Sequence, residues 1–165
     1  MKPSCLRRST AAAALLCGAA LVAPAWANIA RLDDSTSPRA HVRSDFSNAQ
    51  AMDGHVVVLP LGRIEYRLAM TPHVGRRARI FYVIPANVAG LRSPAGMQVQ
   101  WRGSGAFASG SGRPGDRVQV WNGVVQAPWM NETFDLTLRI NPRELRMPAG
   151  SALSFESFFE IETLP

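Results

Sequence analysis

Beyond residues 1–27 the chain contains no cysteine and no lysine, because Cys5, Cys17 and Lys2 all fall inside that segment. No disulfide can brace the remainder, so burial of apolar surface alone must offset chain entropy. Histidine is scarce as well: His41, His55 and His73 stand far apart, with no His-x-His or His-Glu-x-x-His pair. That spacing supplies no metal-ligand set, and no metal or cofactor is expected. A nucleophilic cysteine and a Gly-x-Ser-x-Gly elbow are also missing, so the chain reads as non-enzymatic. After residue 27 no stretch long enough for an ordinary helix has apolar residues at helical spacing, which argues against all-α and α/β classes. The formal charge of +6 falls to +3 once Lys2, Arg7 and Arg8 are set aside, leaving no long basic stripe for nucleic acid.

Residues 1–27 have the layout of a secretory signal. Lys2, Arg7 and Arg8 are followed by an apolar run from Ala11 to Ala25 and a small-x-small site at Ala25-Trp26-Ala27. Cleavage there makes Asn28 the first mature residue and leaves no transmembrane segment. The expected destination is the periplasm, the cell surface or the medium.

What remains is rich in period-two alternation. Phe134, Leu136, Leu138 and Ile140 alternate with Asp135, Thr137, Arg139 and Asn141, as in a strand with one dry and one wet face. Leu153, Phe155, Phe159 and Ile161 alternate with Ser154, Glu156, Glu160 and Glu162 in the same way. Ile64, Tyr66 and Leu68 mark a strand after a turn at Pro60-Leu61-Gly62, and Met97, Val99 and Trp101 mark another. Arg79 to Pro85 is β-branched and aromatic without alternation, as expected of a central strand covered on both faces or of one next to the arm. Gly103 to Gly115 is a Gly/Ser-rich patch that reads as a mobile loop, and Asn122-Gly123 is a hairpin dipeptide. Seven to eight short strands with frequent Gly and Pro point to an all-β, immunoglobulin-like antiparallel sandwich over residues 55–165, with a small β-barrel as the alternative. Residues 28–54, polar apart from spaced residues such as Ala40, Val42 and Phe46, read as an extended N-terminal arm outside the core.

Three large aromatics do not fit the core pattern. Trp121 shares a side with Arg117 and Gln119, Phe158 shares one with Glu156 and Glu160, and Trp129 falls in a predicted loop. These rings, with Val42 and Phe46 of the arm, are the candidate ligand or partner contacts. Glu160 and Glu162 lie on one side of a strand, about 6.6 Å apart by strand rise, near the spacing of glycosidase carboxylates. The stronger reading is that acids on the wet face of a terminal strand serve solubility and oppose aggregation, with Arg139 on a neighbouring strand as a candidate partner.

In layout the chain resembles the secreted immunoglobulin-like subunits of chaperone–usher fimbriae: cleaved signal, N-terminal arm, short-stranded sandwich, long terminal strand. It departs from their common cysteine-containing pattern. The resemblance implies a structural or interaction role in the bacterial envelope, self-assembly or protein binding through a sheet edge, and a periplasmic chaperone as partner. The alternative is a small-ligand or glycan-binding sandwich module that uses the exposed aromatics.

Overall fold

The alternation that begins at Phe134 belongs to the central strand of a two-sheet sandwich. The computed structural model describes residues 28–38, 50–52, 56–146 and 156–165. Its nine strands are β1 (Asn28–Arg31), β2 (Gln50–Met52), β3 (Val56–Ala69), β4 (Arg77–Val83), β5 (Met97–Gly103), β6 (Gly110–Gly112), β7 (Arg117–Val124), β8 (Trp129–Ile140) and β9 (Phe158–Thr163). One sheet runs β1-β9-β4-β7 and the other β2-β3-β8-β5-β6, with antiparallel pairing throughout. This is the all-β sandwich expected from the alternation, and among the described residues no barrel closes. Among the described residues no helix is long and apolar enough to cross a membrane.

Each sheet contributes its apolar face to one core. Leu68, Phe134, Leu136, Leu138 and Ile140 from one side meet Ile80, Tyr82, Phe159 and Ile161 from the other. Such interdigitation is how two one-faced sheets remove their dry faces from water.

Two β-bulges shift the alternation where the sequence suggests turns. Pro60-Leu61-Gly62 is not a turn: β3 continues through it, and the register with β8 slips between Pro60 and Gly62. Inward positions accordingly change from Leu59 to Tyr66 and Leu68, and the missing Pro60 N–H is tolerated at the irregularity. Asn122-Gly123 is not a hairpin either. Both residues lie inside β7, opposite Arg79 and Ala78.

The stretch expected to lie outside the core contributes to both sheets. β1 pairs with β9, β2 pairs with β3, and Leu32 is buried. A few apolar residues suffice here because the backbone groups of an edge are satisfied by the neighbouring strand. Val42 and Phe46 lie outside the described residues, as do His41, His55, Leu153, Phe155 and residues 1–27.

The chain's two tyrosines, Tyr66 and Tyr82, sit edge to face in the core with ring centroids 6.5 Å apart. Ser157 Oγ donates to the Tyr82 hydroxyl at 2.5 Å. Burial raises the Tyr66 pKa above the ordinary 10.0 and holds that of Tyr82 well above it. Both phenols therefore stay neutral when folded at a pH where an unfolded chain has begun to ionise them. Their contribution is intact below about pH 10 and is lost as pH rises above it. In an alkaline titration, tyrosinate absorbance at 295 nm is expected to appear together with loss of the β-sheet circular dichroism. Ionisation near pH 10 with the sheet signal intact would contradict the burial of both hydroxyls.

Candidate functional site

Of the three unplaced aromatics, the structure brings Trp121 and Trp129 to one cleft and leaves Phe158 elsewhere. The cause for Trp121 is the bulge in β7. Ile80 opposes Trp121 but Phe81 opposes Gln119, so Val120 is an extra residue with no partner of its own. Alternation therefore restarts at Trp121, which turns away from the side of Arg117 and Gln119 and packs half-buried against the core. The sequence cannot show this, because a bulge is a property of the pairing. Gly123 then lies beside the indole: a Cβ there would come within 2.8 Å of Trp121 Cζ2.

Trp129 opens β8 after the crossing from one sheet to the other. Three backbone hydrogen bonds fix that crossing: Val125 N–H to Arg76 O at 3.0 Å, Gly75 N–H to Val125 O at 2.8 Å, and Met70 N–H to Pro128 O at 2.8 Å. Trp129 is 39% exposed, and the Arg67 guanidinium lies over its ring, 4.6 Å from the centroid. Arg67 was not evident from the sequence; its outward position two residues before Trp129's β3 neighbourhood at Ala69 was the available signal.

Trp121 and Trp129 both line an open cleft of about 400 Å³, together with residues 122–127 and Met130. None of these side chains is ionisable. Asn122 and Gln126 supply carboxamides, while Val124, Val125, Ala127 and Met130 supply apolar surface. Such a lining can stack a flat or puckered ring and hydrogen-bond its periphery, but it holds no general acid, base or metal ligand.

Phe158 lies on the outer face of the four-stranded sheet, with the Arg31 guanidinium 4.5 Å from its ring centroid. The same face carries Glu160 and Glu162, and their partner is not Arg139, which belongs to β8 of the opposite sheet. It is Arg117 of β7, whose Nε donates to Glu160 at 2.7 Å and whose Nη2 donates to Glu162 at 3.5 Å. The Arg117 guanidinium also covers Phe81, 3.4 Å from the ring centroid. The carboxylate pair is thus part of a roof over an outward-facing phenylalanine.

The Gly/Ser-rich patch expected as a mobile loop is tied down at several points. Glu132 accepts the Ala106 and Phe107 N–H groups, each at 3.1 Å. Ala108 N–H donates to the carbonyl of bulged Val120 at 2.8 Å, and Trp101 Nε1 donates to Ala108 O at 3.1 Å. Phe107 is buried, and Gly110 to Gly112 forms β6.

His73 is half-buried in a 3-10 turn, and its pKa is lowered by burial and by the nearby Arg76. Among the described residues no group of His, Cys, Asp and Glu side chains could hold a metal ion. No protein-family model, curated protein or solved structure matches this chain.

Proposed function

We propose that the chain is an exported bacterial envelope protein with a structural or interaction role, a subunit that joins its partners by pairing strands at a sheet edge. Chaperone-assisted fimbrial assembly is the form of that role which its layout resembles. The observation that carries the reading is the placement of β1. It is the outermost described strand of its sheet, and only four residue pairs connect it to β9. Asn28, Ile29 and Arg31 are exposed, and the first fully buried side chain is Leu32. Most of what holds β1 is backbone pairing, which the same strand of another subunit supplies equally well. An edge strand of this kind is interchangeable between chains in a way that β3 or β8 is not.

The mature protein has no cysteine of its own, so engineered thiols report directly on such exchange. Ile29 and Glu162 are register partners in β1 and β9, and directly opposed residues are within disulfide reach. Separately purified Ile29→Cys and Glu162→Cys variants, mixed at high concentration and oxidised, are expected to yield a dimer containing the cross-linked 29–162 peptide. If that peptide forms only when both substitutions are on one chain, whatever the concentration, β1 does not exchange and the reading fails.

A further inference from the structure

We propose that the Trp121–Trp129 cleft is a binding site for a neutral saccharide, one sugar ring stacking on an indole while Asn122 and Gln126 bond its hydroxyls. The inference is independent of strand exchange, since β1 and β9 contribute nothing to the cleft.

Several observations lead to this class of ligand. The cleft volume of about 400 Å³ lies within the range of about 300–1,000 Å³ usual for small-ligand sites. Neither indole takes part in the ring contacts that link Tyr66, Tyr82, Trp101, Phe107, Phe134 and Phe159 in the core. Arg67 covers Trp129 but does not line the cleft, so the guanidinium fixes the ring without occupying the space beside it. A ring held in this way loses little conformational freedom on binding.

The chemistry of the lining then selects among ligands. An indole face is electron-rich and attracts the weakly positive C–H hydrogens on the flat side of a pyranose. Carboxamides both donate and accept, matching hydroxyl groups, which do the same. A purely apolar ligand would leave the Asn122 and Gln126 amides without partners as it excluded water from them. A charged sugar or a nucleotide would find no ionic partner among the lining residues themselves, since the neighbouring cations, Arg67 over Trp129 and Arg79 opposite Asn122, stand outside the lining. Neutral sugars fit both halves of the lining.

The test uses the full mature protein, labelled with ¹⁵N, and neutral hexasaccharides of glucose, mannose, galactose and N-acetylglucosamine at up to about 10 mM, which reaches even weak affinities. At least one is expected to shift the indole resonances of Trp121 and Trp129 saturably while that of buried Trp101 stays in place. Trp129→Ala is expected to weaken this binding about tenfold or more, and Gln126→Ala to weaken it several-fold without affecting the fold. The proposal is overturned if no neutral saccharide moves the two indoles. It is equally overturned if Gln126→Ala and a folded Trp129→Ala bind unchanged, or if an acidic sugar or a proline-rich peptide saturates the cleft and the neutral sugars do not.

Discussion

Phe134→Ala is expected to remove about 3–5 kcal/mol of stability, the usual cost of emptying a large buried aromatic site. Phe134 is fully buried, and its ring meets those of Tyr66, Tyr82, Trp101, Phe107 and Phe159 at centroid distances from 5.3 to 6.1 Å. These neighbours come from both sheets and from the Gly/Ser-rich connection, so no single element can move in to fill the gap. A domain of this size has about 5–15 kcal/mol in all, and the variant should lie close to its unfolding limit. Asp135→Ala, one residue along on the exposed side of the same strand, should change stability by about 0.5 kcal/mol or less. Denaturant midpoints of the two variants test this directly. Equal shifts would mean that the facing of β8 is wrong.

Glu132→Ala should be a costly polar substitution, at about 3 kcal/mol or more, because two backbone donors lose their carboxylate acceptor and hydrogen bonds to charged groups contribute about 1.5–3 kcal/mol each. Glu132 is only 5% exposed and follows the inward parity of Phe134, yet it meets a carboxylate's requirements through Ala106 and Phe107. Glu132→Gln keeps the shape but presents one amide N–H group towards a donor, so it should recover only part of the loss. Hydrogen exchange gives the local measurement. The Ala106 and Phe107 amides should exchange far faster in Glu132→Ala than in the parent, whereas unchanged protection would show that the carboxylate does not hold this segment.

Strand positions were legible wherever alternation ran undisturbed. Phe134 to Ile140, Phe159 to Ile161 and Met97 to Trp101 all face the core as their spacing indicates. The bulges were not legible, because an extra residue such as Val120 looks like any other valine until its opposing strand is known. The connection from Gly103 to Gly115 is not legible as ordered for a different reason. Its composition is that of a linker, and Phe107 is the one large apolar side chain in it. Its glycines serve packing: a Cβ on Gly110 would approach Trp101 Cζ2 to 2.8 Å, so the strand can lie against the indole only without side chains. For the candidate site, composition identified Trp121 and Trp129, whereas their meeting depended on the β7 bulge and on a crossing between sheets. Arg117 escaped notice as the partner of Glu160 and Glu162 because strand order, not sequence distance, decides which charges meet.

Residues 28–31 lie against residues 160–163, so nearly the whole chain separates the two halves of this pairing. Loops of that length close slowly, and sheets built on such distant contacts are slow to complete. During this interval the flank of β9 is open to whichever strand arrives first. A strand tethered to its own domain competes at an effective concentration on the order of millimolar, which free subunits in dilute solution do not approach. Self-closure therefore wins in dilute solution, and the strand exchange proposed above becomes measurable only as the protein concentration approaches that value. On the strand-exchange proposal the outcome also depends on timing, and slowing the closure of β1 should raise the yield of exchanged chains without any change in the affinity of one strand for the other.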